Sequence, residues 1–284
     1  MVTRHNRPTV ADMQAMKARG QKITVLYVTT QEEAAAADAA GVNMLSIEAR
    51  FFSPAMREAA GKCFVQVGLP YGPSGNLVTA EDYLRECFRF MGMGGDSFYC
   101  AGSLAIQKSL CENAVPIVAH VGLIPSQNTW TGGWKAVGKT ADSAQAVWDH
   151  VKRLEAIGCF GAELEVVPDR VAELISKSTP MIMLGMGAGP GTDAQYLFSE
   201  DVLGHTHGHR PRHAKTYRNF AAEFARLQQE RIAAYEEFIA DVHTGVYPAP
   251  QHIVPIDDSE FAQFAARIKT QEGTTKQIRG QRPS

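Results

Sequence analysis

The sequence predicts an α/β fold: a (β/α)8 TIM barrel followed by extra C-terminal helices. Two observations carry the prediction. Eight short runs, most of them rich in β-branched or aromatic residues, alternate with longer stretches of helical pattern along 284 residues. The first seven runs are almost continuously apolar, as parallel strands covered on both faces must be.

Taken in order, the expected strands and helices are these. Lys22–Val28 is the first strand, and the Ala/Glu-rich helix Gln31–Ala40 ends at Gly41, a residue suited to a helix stop. Asn43–Glu48 follows, then a short crossover at Ser53–Ala60 and the strand Cys63–Gly68. Thr79-Ala80-Glu81-Asp82 reads as a cap ahead of the helix Tyr83–Met91. Asp96–Cys100 and Val115–His120 are the fourth and fifth strands. The helix Thr140–Ile157 closes at Gly158, and the sixth strand is Phe160–Val166. Pro168 sits at the first turn of Asp169–Lys177, where its missing N–H costs nothing. Met181–Gly185 and Asp193–Phe198 complete the eight. Beyond them, Arg212–Val242 carries Phe220, Phe224, Leu227, Ile232, Tyr235, Phe238 and Ile239 at roughly helical spacing. This reads as closing helices laid on the barrel wall or, alternatively, an oligomer face. Residues 1–256 are expected to form one domain. Residues 257–284 form a polar tail with a short helix at Ser259–Ile268 and an end, Thr270–Ser284, expected to be disordered.

Bulk properties narrow the function classes. Hydrophobic residues make up 45% and charged residues 20%, ordinary for a globular protein. The net charge of −2 gives no electrostatic case for nucleic acid or an anionic membrane as partner. The five cysteines form no CxxC pair and read as free thiols packed as small hydrophobes. MVTRHNRPTV has no apolar h-region, and no apolar run reaches membrane-spanning length, so a cytoplasmic protein is expected.

Chemistry in such a barrel sits at the C-terminal ends of the strands. The polar residues there are Tyr27 and Thr29, Glu48 and Arg50, Gln66, Tyr99, His120, and Glu163 with Glu165. Glu163 and Glu165 are two apart on a strand and face the same side. Two adjacent carboxylates cannot both ionise cheaply, so one is expected to hold its proton unless a cation lies between them. That is the physics of a general acid/base or a metal site; the alternative ties one of them up inside the barrel. His120 ends an apolar strand and is either a site residue or a satisfied core histidine. The Gly185–Gly191 loop offers backbone N–H groups to an anion, but no ribose-binding acid follows it. The run His205, His207, His209, His213 is broken by glycine and reads as solvated or adventitiously metal-binding. Trp130, Trp134 and Lys135 lie in a loop that either folds over a ligand or is structural.

Four segments in order, Pro116-Ile-Val-Ala-His120-Val-Gly-Leu-Ile-Pro125, Gly132-Gly-Trp-Lys-Ala-Val-Gly138, Glu163-Leu-Glu165-Val-Val-Pro168 and Gly185-Met-Gly-Ala-Gly-Pro-Gly191, resemble the ketopantoate hydroxymethyltransferase family. The resemblance runs from about Arg7 to about His252 and is strongest from Val115 to Gly191. It implies the barrel of the phosphoenolpyruvate mutase and isocitrate lyase superfamily and a homo-oligomeric ring, often a decamer. It also implies an aldol-type reaction in which magnesium holds a small 2-oxo acid, a glutamate removes the proton beside the ketone, and tetrahydrofolate carries the one-carbon unit. Glu165 stands where that glutamate stands, and His120 matches the family's histidine after the fifth strand.

Other positions depart from the family. Glu48-Ala49-Arg50 replaces Gly-Asp-Ser, Gly68-Leu69-Pro70 replaces a metal-binding Asp and its neighbours, and Tyr99-Cys100-Ala101 replaces Lys-x-Glu. Both metal-holding aspartates and a lysine are gone. Enolate formation needs a positive centre on the developing oxyanion. The sequence offers two substitutes: Arg50 as a carboxylate anchor, or a divalent metal rebuilt on Glu48, Glu163 and Glu165. The expected enzyme makes or breaks a carbon–carbon bond on a small carboxylate. Glu165 and His120 are its catalytic residues, and Arg50, Glu163, Tyr99 and Glu48 line the substrate. A divergent lyase or hydrolase and a non-catalytic ring-forming paralogue are the alternatives.

Overall fold

The structure, a computed structural model, describes residues 7–70 and 76–280, with side chains as far as Lys269. The chain divides into two compact units, Met1–Ala221 and Ala222–Ser284. The boundary expected from sequence lay at 256/257.

In the first unit, eight parallel strands hydrogen-bond in sequence order and close on themselves. They are β1 (Ile23–Tyr27), β2 (Met44–Glu48), β3 (Phe64–Gly68), β4 (Ser97–Tyr99), β5 (Ile117–Gly122), β6 (Gly161–Glu165), β7 (Ile182–Met186) and β8 (Ala194–Phe198). Each overlaps its expected run. The helices are α1 (Val10–Ala18), α2 (Gln31–Ala40), α3 (Pro54–Ala59), α4 (Ala80–Gly92), α5 (Leu104–Glu112), α6 (Asn128–Thr131), α7 (Ala141–Ala156), α8 (Asp169–Ser178) and α9 (Ser199–Leu203).

Local sequence explains where these helices begin. Thr9, Thr30, Ser53, Thr79, Ser103 and Thr140 each accept a hydrogen bond from a backbone N–H of the first turn. The short crossover between β2 and β3 therefore works with a six-residue helix, because Ser53 caps it and Pro54 presets its first turn. Gly41 ends α2 in the left-handed conformation, at φ 82°. No helix separates β7 from β8.

Alternation along each strand sorts side chains into two cores. Leu45, Ile47, Val65, Phe98, Ala119 and Leu164 pack outward against the helix layer. Val25, Met44, Phe64, Val118, Ile182 and Ala194 fill the barrel interior, with Met13 of α1 beside them. The Lys17 ammonium donates to Ser176 O (2.8 Å), Met181 O (2.6 Å) and Asp193 Oδ2 (2.7 Å), tying α1 to the segments that lead into β7 and β8. The apolar plug is thus at the N-terminal end of the strands. The interior turns polar toward their C-terminal ends, which positions the site.

The second unit holds α10 (Phe220–Thr244), which begins at the end of the first unit, and α11 (Asp258–Gly280). The helix starts at Phe220 rather than Arg212, and residues 212–219 have no helical structure. None of α10's residues is buried; Phe224, Tyr235, Phe238 and Ile239 are exposed. α11 extends past the expected Ser259–Ile268, and the last four residues of the expected disordered tail lie outside the described residues. Among the described residues, no helix is long and apolar enough to cross a membrane.

Candidate active site

The strand registers set His120 beside Glu163 and Gly122 beside Glu165, and Ser46 beside Gln66 beside Ser97. All of these project inward, two residues or one register step apart. They make a polar layer of Ser46, Gln66, Ser97, His120 and Glu163, with Tyr27, Glu48, Tyr99 and Glu165 above it at the mouth. Tyr196 of β8 joins the lower layer from the apolar side.

Both glutamates of β6 meet the same imidazole. His120 Nε2 lies 3.1 Å from Glu165 Oε2, and His120 Nδ1 lies 3.6 Å from Glu163 Oε2. The Nε2 contact is short, but it is not an aligned hydrogen bond. Nδ1 is also 2.8 Å from the Tyr99 hydroxyl. Glu163 Oε1 accepts from Gln66 Nε2 at 2.9 Å, and the same amide donates to Ser46 Oγ at 3.0 Å.

Depth separates the two carboxyls. Glu165 is at the rim, with its side chain 15% exposed, whereas Glu163 is buried. Burial pushes the Glu163 carboxyl up from 4.5 to about 7; His120 and the Gln66 hydrogen bond oppose the rise, and the neighbouring charge of Glu165 adds to it. Glu163 therefore holds its proton more tightly than an ordinary glutamate does. The Tyr196 hydroxyl is likewise held well above its ordinary range, by burial first and then by the negative charge at Glu163.

Backbone geometry holds Glu165 in place. Its carbonyl accepts from Leu123 N at 2.9 Å, and Gly122, at φ +86°, lets β5 come so close that a Cβ there would collide with Glu165 O. Val166, the next residue, is left-handed at φ 49°, a costly conformation for a β-branched residue. Hydrogen bonds on both sides retain it: Val166 N donates to Met186 O and Val137 N donates to Val166 O.

Glu48 and Arg50 lie elsewhere on the rim. β2 and β6 are four strands apart in an eight-membered ring, the widest separation the ring allows. Glu48 accepts from the Tyr27 hydroxyl at 2.8 Å and pairs with Arg50 Nε at 2.6 Å. Burial, then the Glu48 hydrogen bond and charge, raise the Tyr27 hydroxyl above its ordinary range. Tyr27, Arg50, Phe51, Thr29, Glu33 and His205 line a cavity of about 270 Å³.

This arrangement corrects the expected metal trio of Glu48, Glu163 and Glu165. Glu48 sits across the barrel with its carboxylate engaged, and among the described residues no group of three or more His, Cys, Asp or Glu is assembled to hold an ion. At the two positions where the resemblance puts metal-binding aspartates stand Ala49 and Gly68, which have no donor side chain. The residues present do not fit a magnesium ion in that seat. The glycine loop after β7 is no open anion cradle either. A Cβ at Gly187, Gly189 or Gly191 would strike His213, Asp169 or Glu173, so these glycines let protein groups approach closely. The histidine run does not converge: His205 faces Glu33 at 3.7 Å, while His213 abuts Gly187. Trp130 and Trp134 are exposed on and just after α6.

Sequence reading noticed Gln66 as a strand-closing polar residue without giving it a role, and missed Ser46, Ser97 and Tyr196. The available signal was polar residues at alternate positions of otherwise apolar strands.

The profile of the ketopantoate hydroxymethyltransferase family matches residues 48–250. The chain belongs to this family. A 3-methyl-2-oxobutanoate hydroxymethyltransferase from Methylibium petroleiphilum is 31% identical over 90% of this chain and 79% of its own length. One from Thermus thermophilus is 30% identical over 87% of this chain and 99% of its own. Among solved structures, the carboxyl transferase domain of Rhizobium etli pyruvate carboxylase with pyruvate superposes at TM-score 0.50 and 11% identity, over 68% of this chain and 42% of that one. That likeness concerns the barrel alone. Family membership makes the chain a hydroxymethyltransferase-type enzyme.

Proposed function

We propose that the protein makes or breaks a carbon–carbon bond, by aldol or retro-aldol chemistry, on a small 2-oxo acid or hydroxymethyl carboxylate. The observation that carries this reading is the contact of Glu165 with His120 at the C-terminal mouth of a closed barrel. Glu165 takes the proton beside the ketone, and the electron pair of that C–H bond moves into the enolate, whose carbon attacks the one-carbon electrophile. The reverse reaction returns the proton from Glu165. His120 Nε2, beside Glu165, donates to a substrate oxygen, and Tyr99 supports the opposite face of the ring. Arg50, paired with Glu48 across the barrel mouth from Glu165, anchors the substrate carboxylate from the opposite side.

Exchange of the α-proton of 3-methyl-2-oxobutanoate in heavy water, followed by NMR, tests the reading without a one-carbon donor. Exchange by the wild type that falls by about 100-fold or more in Glu165→Gln supports it. Absence of exchange, or exchange that survives the substitution, removes Glu165 from this role. Adding tetrahydrofolate and ketopantoate and measuring formaldehyde release asks whether the literal family reaction persists.

Ala49, Gly68 and Tyr99 favour a second reading, a divergent lyase or hydrolase acting on a different small carboxylate. Turnover of other carboxylates with Glu165 still required distinguishes it. A non-catalytic paralogue binds such acids and turns none over. A homo-oligomer also fits, since α10 presents Phe224, Tyr235 and Phe238 to solvent in the single chain; sedimentation of the full chain measures it.

A further inference from the structure

Two of the cysteines touch. Cys111, in the last turn of α5, and Cys159, between α7 and β6, hold their Sγ atoms 3.9 Å apart across a separation of 48 in sequence. Backbone contacts seat both. Cys159 N donates to Leu154 O at 3.1 Å, and Cys111 O accepts from Ala114 N at 3.0 Å. Gly158, at φ +99°, brings the chain so near α5 that a Cβ there would stand 3.3 Å from Cys111 Cβ. A disulfide spans about 2.05 Å between sulfurs, so rotation that moves each Sγ by about 1 Å closes the gap.

The two thiols differ in access. Cys111 is partly exposed, whereas Cys159 is buried, with its Sγ 3.7 Å from Gln107 Oε1. The hydrogen bond between the sulfurs lowers the Cys111 thiol, against burial, and raises that of Cys159, together with burial. The sulfur that solvent reaches is the one readier to ionise, and the other stands directly behind it. Cys63, Cys87 and Cys100 are buried, and burial first of all pushes their thiols up, to about 11, about 12 and about 12.

The geometry points to Cys111 and Cys159 as a reversible dithiol site, which reacts with a low-molecular-weight disulfide and closes a bond between the entries to β5 and β6. The exchange balances. The Cys111 thiolate attacks one sulfur of the disulfide RSSR, whose S–S bond breaks, and RS⁻ leaves and takes up a proton equivalent to the one Cys111 lost. Cys159 then gives up its proton, its sulfur attacks Cys111 Sγ, and the second RS⁻ leaves and is protonated in turn. Two protein thiols are oxidised and one RSSR is reduced to two RSH.

The bond acts on the frame of the site and is independent of the reaction proposed at Glu165. α5 leads into β5, which carries His120, and Cys159 leads into β6, which carries Glu163 and Glu165. These strands pair from Val118 and Gly161 to Gly122 and Glu165. The cross-link falls at their N-terminal ends, away from the mouth, so it fastens the pair without entering the site.

The test incubates the full chain in mixtures of reduced and oxidised glutathione, alkylates the remaining thiols after an acid quench, and maps the peptides by mass spectrometry. A peptide joining Cys111 to Cys159 is expected, with both lost from the alkylated pool, restored by dithiothreitol, and Cys63, Cys87 and Cys100 still thiols. Thermal unfolding of the oxidised chain is expected roughly 5–10 °C above that of the reduced chain. Cys159→Ser is expected to leave glutathione on Cys111 and to show no such shift. Absence of the joined peptide at the most oxidising mixture overturns the proposal. So does a joined peptide found only after unfolding in urea, equal joining to the other cysteines, or glutathione that stays on Cys111 of the wild type. A joined chain that melts no higher than the reduced one overturns the fastening of the strands. Should Cys159→Ser not fold, the wild-type map stands by itself, and Cys111→Ser is expected to abolish both the joined peptide and glutathione uptake.

Discussion

Gln66 Nε2 donates to Glu163 Oε1 at 2.9 Å, joining β3 to β6 through the barrel interior at a buried carboxyl. The bond lowers the carboxyl's proton affinity, but burial outweighs it, and the result is a value of about 7. Stability follows from that inequality. The folded-state value is raised above the unfolded one. Glu163's contribution is therefore fully present below about pH 4.5 and is lost as pH rises through about 7.

Glu163→Gln removes this dependence. Relative to wild type, the variant is expected to gain stability steadily between about pH 4.5 and 7, by on the order of 3 kcal/mol across the window. Urea unfolding at a series of pH values measures the difference, and parallel curves for the two proteins would contradict it.

Gly122→Ala strikes the backbone that seats Glu165. The new Cβ collides with Glu165 O, φ stands at +86°, and neither backbone can yield cheaply. A loss of about 2–4 kcal/mol in unfolding free energy is expected, together with weakened α-proton exchange in whatever folds. Thermal unfolding with an exchange assay checks both.

Arg50→Ala separates binding from chemistry. The side chain is 69% exposed, so its ion pair with Glu48 contributes little to stability and the melting temperature is expected to hold. As the carboxylate anchor it is expected to raise KM for a 2-oxo acid about tenfold with little change in kcat. A reduced kcat at unchanged KM would assign Arg50 another role.

Ala49→Asp with Gly68→Asp restores acids at the two positions where the resemblance puts metal-binding aspartates. A Cβ at Gly68 makes only ordinary contact, 3.5 Å from Glu48 Cα, and needs no unusual backbone. The double variant is expected to bind magnesium in calorimetry and the wild type not to. Equal binding by both would show that the ion is held without those aspartates.

The sequence by itself determined the barrel. Eight apolar runs of strand length, punctuated by Thr and Ser caps and by Gly41 and Gly158, specify parallel strands and the helices between them, because burial on both faces and helix capping are local demands. Period-two spacing likewise put Glu163 and Glu165 on one side of β6. Only the tertiary structure decided what surrounds each carboxyl. Ring closure put Glu48 four strands away from Glu165, register brought His120 between the two glutamates, and Gln66 reached across the interior to hold Glu163. Those relations depend on strand order and depth rather than on sequence spacing, and depth is what separates the half-buried Glu165 at the rim from the buried Glu163, whose proton affinity is raised.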